Sequence, residues 1–277
     1  MSRPSPRILF VPVTAPQGSG EYARALAIAT AVVRRYPSAS CHFALSEQSP
    51  VARDCPFPAT YLPSSPTFHT RRVQAIIGEL QPQIVVFDNA GRTAQLRAAR
   101  RIGARVVFIS SRPRQRRRAY RLRWLALIDE HWIAYPPFIA GPPTLLERCK
   151  ARLMARPLAR YLDCLLPAPD PDASLTPRGD APAGSDHVLV LIGGVADHPD
   201  FAASPSTMVE AARQLALQGV PVRLVGAAPE HAPLRPPAAL TVLPRLMVDA
   251  VAPAIERATI VVCNGGDTLI QVLALRR

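Results

Sequence analysis

The sequence predicts an α/β protein made of two Rossmann-like domains, the second of them incomplete. Short apolar runs rich in β-branched residues alternate with segments of helical periodicity along most of the 277-residue chain. The runs are continuously apolar, which is typical of parallel strands covered on both faces. A single proline-rich stretch interrupts the alternation, which then restarts. These three observations favour two parallel sheets separated by a linker.

The N-terminal domain is predicted over residues 1–165. Its predicted strands are Ile8–Val13, Cys41–Leu45, Ile84–Phe87 and Arg105–Ile109, and its predicted helices are Glu21–Arg35, His69–Leu80 and Ala94–Ile102. In these helices apolar residues recur at three- and four-residue spacing, which indicates one buried face. Pro56–Pro66 is rich in proline and serine and predicts a loop.

Residues 166–186 contain five prolines and no apolar periodicity, which predicts a linker. The C-terminal domain is predicted over residues 187–277. Its predicted strands are His187–Ile192, Val222–Val225, Leu240–Leu243 and Thr259–Cys263, and its predicted helices are Thr207–Gln218, Asp249–Glu256 and Asp267–Leu275. Because the alternation ends there, we expect an unfinished Rossmann-like half whose last strand lies at an open edge with exposed apolar side chains.

The composition excludes several classes of protein. No apolar run reaches the roughly 18–20 residues of a membrane span, and the first apolar run is too short for a signal peptide. The formal net charge is +13, but only one of the 33 basic residues, Lys150, is a lysine, and the chain also holds 31 prolines. This indicates a compositional bias. Without a recognisable binding module, the charge predicts no nucleic-acid partner.

The five cysteines are scattered and include no CxxC pair. Their number and spacing argue against a zinc site or a disulfide framework and favour inert thiols in a reducing cytoplasm. The six histidines show no HExxH-type spacing, and neither a GxSxG elbow nor a Walker A motif is present. We therefore expect a cytoplasmic protein that uses no metal and no cofactor.

Turns that follow strands are the candidate sites, because open α/β sheets bind ligands outside the carboxyl ends of their strands. The first such turn contains Gly18, Ser19 and Gly20 and leads into Glu21 at a helix start. Glycines allow the backbone to approach a ligand closely. Glu21 is either a general base acting on a hydroxyl or an ordinary first-turn carboxylate stabilised by the helix dipole.

The second turn follows the strand Ile84–Phe87 and begins with Asp88 and Asn89. Asp88 could orient a sugar hydroxyl, act in catalysis or hold Arg92. The alternative is a solvated aspartate that caps the next helix.

Two further glycine turns lie in the C-terminal half. They comprise Gly193 and Gly194 after one strand, and Asn264, Gly265, Gly266, Asp267 and Thr268 after another. A strand followed by glycines and a helix N-terminus forms an anion cradle suited to a diphosphate. Asn and Gly are also common turn residues, but two such turns in one domain favour the cradle.

The densest charge run is Arg112–Arg123, with seven arginines in twelve residues. Trp124 and Leu125 follow it. A second basic strip contains Lys150, Arg152, Arg156 and Arg160. Basic residues beside aromatic and leucine side chains suit an anionic membrane surface. The alternative is a solvated, arginine-biased helix.

Several segments together resemble the two-domain GT-B glycosyltransferases, in particular the MurG-like bacterial group. The matching segments are Gly18–Val32, Pro82–Arg92, Gly103–Ser110, Leu191–Pro199 and Ala258–Leu275. They follow the family order over nearly the whole chain, and the last is the most specific.

The resemblance implies an N-terminal domain that holds the acceptor, often a lipid-linked sugar, and a C-terminal domain that holds a nucleotide-sugar, commonly a UDP-sugar. The implied diphosphate contacts are Gly193, Gly194, Asn264, Gly265, Gly266 and Thr268. Gln271 stands where the family usually has a ribose-binding Glu, and Glu21 stands where it usually has a proposed His base. The expected reaction is metal-independent, inverting glycosyl transfer at the inner face of the membrane.

The family pattern continues past the last helix of this sequence. A truncated gene, a split enzyme completed by a second chain, and a degenerate copy kept for binding are all consistent with this. The leading hypothesis is a glycosyltransferase. The alternatives are a non-catalytic sugar-nucleotide or acceptor-binding subunit that needs a partner, and a nucleotide-sugar hydrolase or epimerase.

Overall fold

The computed structural model describes residues 5–14, 20–49, 52–53, 55–156, 158–162, 186–193, 204–227, 231–246 and 248–275. The chain divides into two compact units, Met1–Leu165 (unit 1) and Leu166–Arg277 (unit 2). Each unit contains one parallel sheet with helices, which confirms the predicted α/β class. Apart from residue 186, the predicted linker lies outside the described residues.

Unit 1 contains a seven-stranded parallel sheet in the order β3-β2-β1-β4-β5-β6-β7. Its elements are β1 (Arg7–Pro12), α1 (Gly20–Arg35), β2 (Ser40–Ser46), β3 (Ala59–Leu62), α2 (Thr70–Leu80), β4 (Ile84–Asp88), α3 (Thr93–Arg101), β5 (Arg105–Ser110), α4 (Pro113–Ala119), α5 (Leu122–Leu125), β6 (Glu130–Ile133), α6 (Pro137–Ala140), α7 (Leu145–Leu153) and β7 (Arg160–Tyr161). The central strands β1, β4 and β5 are almost wholly buried, as their continuous apolar sequences require.

Three strands of unit 1, all in its outer part, were not predicted from the sequence. The predicted loop Pro56–Pro66 is wrong over Ala59–Leu62, which pairs in parallel with β2. Strand β6 contains Glu130 and His131, so it lacks a continuous apolar run. Strand β7 has only two residues. These strands are short and lack a continuous apolar run, and pairing with a neighbouring strand places them in the sheet.

Unit 2 contains a four-stranded parallel sheet in the order β10-β9-β8-β11. Its elements are β8 (Val188–Leu191), α8 (Ser204–Leu217), β9 (Val222–Val225), β10 (Leu240–Leu243), α9 (Val248–Arg257), β11 (Ile260–Cys263) and α10 (Asp267–Ala274). Val188 and Val190 pack into one apolar cluster, while Leu189 and Leu191 pack into another. Both faces of β8 are therefore covered, as in a doubly wound sheet.

Strand β11 forms one edge of this sheet and pairs, among the described strands, with β8 alone. Ile260 remains 56% exposed and Val262 39%. On the neighbouring helix α10, Leu269 and Leu273 are also exposed. The last strand thus presents exposed apolar side chains, as the sequence predicts.

Candidate functional site

The carboxyl edge of the unit 1 sheet, where its strands end, brings together the start of α1 and the ends of β4 and β5. Chain segments far apart in sequence meet there because all the strands are parallel. Gly20 and Glu21 begin α1, Asp88 ends β4, and Ser110 ends β5. Gly18 and Ser19 lie outside the described residues.

Asp88 forms a buried ion pair with Arg24 on α1. The Arg24 Nε atom lies 2.7 Å from Asp88 Oδ2, and its Nη2 atom lies 3.0 Å from Oδ1. The two side chains are 6% and 1% exposed. This bidentate geometry is among the strongest that an arginine and a carboxylate can adopt. It ties the N-terminal part of α1 to the end of β4.

The predicted alternatives for Asp88 need correction. The guanidinium that Asp88 holds belongs to Arg24, and Arg92 instead donates from Nε to the Thr67 carbonyl oxygen at 3.2 Å. Asp88 is buried, so it is not a solvated turn residue. The backbone N–H of Arg92, at the start of α3, donates to Gln95 Oε1 at 2.8 Å. The N-terminus of α3 is therefore capped by the Gln95 side chain and not by Asp88.

Directly after β4, Asn89 connects three segments through its side-chain amide. Its Nδ2 donates to Glu21 Oε1 at 2.8 Å and to the Ser111 hydroxyl oxygen. Its Oδ1 accepts from the Ser111 N–H at 2.9 Å. Asn89 has a φ of 51°, a left-handed conformation that asparagine tolerates better than most residues.

Glu21 is thereby held at the carboxyl edge beside a partly exposed surface. Its Oε1 accepts from Asn89, while Oε2 has no hydrogen-bond donor among the described residues. A carboxylate fixed through one oxygen can accept a proton at the other. Ser111 was not among the predicted site residues, although its place immediately after a buried strand is a signal that could have found it.

The carboxyl edge of unit 2 is formed mainly by backbone. The Gly193 N–H donates to Asn264 Oδ1 at 3.1 Å, which joins the turn after β8 to the turn after β11. A Cβ atom on Gly193 would lie 2.9 Å from that oxygen. Gly194 lies outside the described residues.

Gly265 and Gly266 have φ angles of 85° and 69°, a conformation that residues with a Cβ rarely adopt. No atom lies within 4 Å of a Cβ built on either residue. Gly266 precedes α10 and supplies no side chain to cap the first turn. The start of α10 is therefore suited to an anion, although the Asp267 carboxylate in its first turn opposes a second negative charge.

Thr268 and Gln271 are three residues apart on α10 and so share one helix face. A third glycine turn at this edge contains Gly226, which was not among the predicted site residues and follows β9 with a φ of 78°. A Cβ atom there would lie 2.8 Å from the Ile192 carbonyl oxygen. Turns after three of the four strands therefore depend on glycine.

The arginines of Arg112–Arg123 divide into buried and exposed groups. Arg116 is buried and donates to both carboxylate oxygens of Glu147, at 2.9 and 2.6 Å. It also donates to the carbonyl oxygens of Ala140, Gly141 and Pro142 at 2.7, 2.9 and 2.9 Å. Burial alone would raise the pKa of Glu147, but hydrogen bonds from Arg116 and Thr144 lower it. Arg116 is therefore part of the unit 1 framework.

Arg118 is also held within the fold. Its Nη2 donates to the Gly91 carbonyl oxygen at 2.7 Å, and its guanidinium carbon lies 4.0 Å from the ring centre of Trp124. Five other arginines of the run are exposed: Arg112, Arg114, Arg117, Arg121 and Arg123. The whole run is thus neither a simple solvated face nor a uniform binding strip.

His131 on β6 is buried, and its Nε2 lies 2.8 Å from the Ser110 hydroxyl oxygen. Burial is the main cause that lowers its pKa to about 3.

Burial also raises the pKa of the Cys41 thiol to about 11, so this thiol stays protonated at neutral pH. The described residues contain no group of three or more His, Cys, Asp or Glu side chains placed to hold a metal ion.

Comparison with solved structures identifies the fold. UGT89C1 from Arabidopsis thaliana, solved with UDP, superposes with a TM-score of 0.57 at 13% identity, over 98% of this chain and 78% of that one. A Neisseria meningitidis UDP-GlcNAc 2-epimerase, solved with UDP-GlcNAc, also gives 0.57 at 11% identity, over 94% and 78%. The Escherichia coli ADP-heptose LPS heptosyltransferase II gives 0.54 at 14% identity, over 98% and 82%.

These similarities confirm the predicted GT-B fold class of two Rossmann-like domains. The narrower resemblance to the MurG-like group stays a prediction. No protein-family model and no curated protein sequence matches the chain. No helix in the described part of the chain combines the length and the hydrophobicity needed to cross a membrane.

Proposed function

We propose that this protein is a glycosyltransferase that moves a sugar from a nucleotide-sugar, with a UDP-sugar as donor, to an acceptor hydroxyl. The observation that carries the proposal is the glycine-built carboxyl edge of unit 2. Its open backbone at the start of α10 suits a diphosphate, and solved proteins of this fold include one with UDP and one with UDP-GlcNAc.

The proposed donor site uses the turns after β8 and β11. Gly193, Gly194, Asn264, Gly265, Gly266 and Thr268 would surround the diphosphate, and Asp267 begins the helix that faces it. Gln271 would bind the ribose through a neutral hydrogen bond. We propose no metal, because backbone N–H groups and the helix dipole would balance the diphosphate charge.

The proposed acceptor site lies at the carboxyl edge of unit 1, with Glu21 as general base. Glu21 takes the proton of the acceptor hydroxyl, and the acceptor oxygen forms a bond to the anomeric carbon. The bond from that carbon to the nucleoside diphosphate breaks, and the leaving group keeps the electron pair. Attack from the opposite face inverts the anomeric centre. Gly18, Ser19, Gly20 and Asn89 would line this loop, where Asn89 and Ser111 orient the carboxylate.

A catalytic role for Asp88 stays a prediction. The ion pair with Arg24 makes this prediction weaker than the one for Glu21. Both of its oxygens are engaged by Arg24, and the side chain is almost inaccessible. Its contribution to the proposed reaction would be to position α1, which carries Glu21.

Nucleotide binding tests the donor site. UDP should raise the melting temperature, because a ligand that binds only the folded state stabilises it. In Gly265→Val this shift should disappear, whereas Gly219→Val should retain it. The two glycines are matched, with φ angles of 85° and 83° and open space around both. A folded wild-type sample that responds to no nucleotide would contradict the donor site.

Glu21→Gln tests the base. Loss of a general base lowers the rate by about 10²- to 10⁴-fold. The variant should lose most turnover and keep the nucleotide-induced shift in melting temperature, because the two sites lie in different units. A variant with full turnover would show that Glu21 is not the base.

The second candidate function is a non-catalytic binding subunit completed by another chain. The exposed edge strand β11, with Ile260 and Val262 open to solvent, favours this alternative because such edges pair readily with further strands. In that case the wild-type protein should bind UDP and transfer no sugar until the second chain is added. The nucleotide-sugar epimerase or hydrolase alternative predicts turnover without any acceptor.

We further propose a cytoplasmic protein that associates peripherally with an anionic membrane surface through helices α6 and α7, which lie beside the basic run Arg112–Arg123. Phe138 on α6 and Leu145 and Leu153 on α7 are at least 75% exposed. Arg148 and Arg152 on α7 are exposed beside them. Vesicles with anionic lipid should therefore bind the protein, and salt should release it.

A further inference from the structure

Five arginines of unit 1 form a group that the described fold does not neutralise. We call Arg92, Arg114, Arg118, Arg121 and Arg123 the arginine cluster. None of them forms an ion pair with a carboxylate among the residues that the structure describes. In contrast, Arg24, Arg100, Arg105 and Arg116 are each paired with an acid.

Contacts of Arg118 and Trp124 bring the chain segments that carry the cluster side by side. Arg118 donates to the Gly91 carbonyl oxygen at 2.7 Å, directly beside Arg92 in the chain. Trp124, which lies under the Arg118 guanidinium, donates from Nε1 to Thr93 Oγ1 at 3.0 Å and so fixes α5 against the start of α3. Arg114 lies one helical turn before Arg118 on α4.

The positive charges of the cluster repel one another. Burial, and after it the charges of the other four arginines, lower the pKa of Arg118 to about 10. Four of the five residues are exposed, whereas Arg118 is half-buried. Like charges this close destabilise a surface unless an anion binds among them.

The cluster also borders the proposed acceptor site. Gly91, which Arg118 contacts, lies two residues after Asn89, and Asn89 holds Glu21. The Arg118 guanidinium therefore contacts the turn after β4, at the carboxyl edge of unit 1.

We propose that the arginine cluster binds a phosphate or diphosphate group of the acceptor. Guanidinium groups match phosphate oxygens through paired, charge-assisted hydrogen bonds. A discrete phosphate fits better than a bilayer, because Leu122 is the one large apolar side chain exposed within α4 and α5, and the exposed apolar residues concentrate on α6 and α7. Identification of the ligand as the acceptor rests on the proposed function; phosphate binding does not.

Calorimetric titration of the whole chain with inorganic pyrophosphate tests the proposal. The titration uses Gly265→Val as the background, because the glycine turns of unit 2 could also bind pyrophosphate. In that background, Arg121→Gln/Arg123→Gln should weaken binding by at least about tenfold. The matched control, Arg148→Gln/Arg152→Gln, removes the same charge from exposed positions on α7 and should change the affinity by less than about threefold.

Equal weakening by both pairs would overturn the proposal, because it would indicate only long-range attraction. No binding of pyrophosphate combined with cluster-dependent binding to phosphatidylglycerol vesicles would also overturn it, in favour of a lipid surface. Cluster-dependent pyrophosphate binding supports it even if UDP fails to bind unit 2. Failure of UDP to bind, together with cluster-dependent binding of pyrophosphate, would contradict the donor site but support the phosphate site.

Discussion

The two carboxyl edges of this protein are constructed in different ways. In unit 1 the edge consists of side chains that hold one another: Arg24 with Asp88, and Glu21 with Asn89 and Ser111. In unit 2 it consists of glycine turns, and the Asn264 side chain joins two of them. The fold places a candidate site at the same edge of both sheets, but different chemistry shapes each.

This difference determines how each edge can be damaged. A side-chain network fails when a partner is removed, because the remaining polar group is left buried and unsatisfied. A glycine turn fails when a Cβ atom is added, because the φ angle or the space no longer fits. Substitutions of both kinds test whether each unit responds in the expected way.

Asp88→Asn should have the largest effect. It leaves the Arg24 guanidinium buried without its counter-ion, and breaking such a pair costs about 3–5 kcal/mol of folding free energy. Thermal unfolding should show the loss, and hydrogen exchange should locate it in unit 1. The control is Glu210→Gln, which breaks the exposed pair with Arg213 in unit 2 and should barely change the melting temperature. Similar losses in both variants would show that burial adds nothing to the contribution of the Asp88–Arg24 pair.

Gly226→Ala should have the next largest effect, about 2–4 kcal/mol. A left-handed alanine costs about 1–2 kcal/mol, and displacement of the Ile192 carbonyl group adds the cost of overpacking. The matched control Gly219→Ala has a similar φ of 83° but open space, so only the first cost applies. Urea unfolding of both variants checks the difference. Equal losses would show that the close approach to Ile192 relaxes at no cost.

The pH dependence of unit 1 should be a smaller effect. Because the pKa of His131 is about 3 in the folded protein and 6.5 for an unperturbed histidine, only the unfolded chain takes up this proton between those values. The contribution of the buried, neutral His131 to the free energy of unfolding is therefore fully present above pH 6.5, and it is lost as the pH falls towards 3. At pH 5 the loss is about 2 kcal/mol, from 6.5 − 5 = 1.5 pH units.

His131→Gln should flatten the dependence of the melting temperature on pH between 6.5 and 5. His42→Gln is the control, since burial also lowers the pKa of His42 on β2, although His42 is less buried than His131. A larger flattening by His42→Gln would show that His131 is not the main titrating group.

Sequence alone anticipated the central elements better than the peripheral ones. The strands around Ile84–Phe87 and Arg105–Ile109 were predictable because both of their faces are buried and their sequences are apolar throughout. Strands β3, β6 and β7 were missed because they depend on pairing with neighbours. The positions of Glu21, Asn89 and the glycine turns followed from their place after strands. Ser111 and Gly226 also directly follow strands, so the same rule could have found them.

The sequence by itself determined the alternation of strands and helices, the two parallel sheets and the glycines at left-handed positions. These features depend on hydrophobic periodicity and on φ preferences, which a few adjacent residues specify. Only the tertiary structure decided that Asp88 pairs with Arg24, 64 residues away, and that Asn89 contacts Glu21, 68 residues away. It also separated the framework residue Arg116 from the arginine cluster. Such pairings depend on how distant segments pack together, which no local pattern encodes.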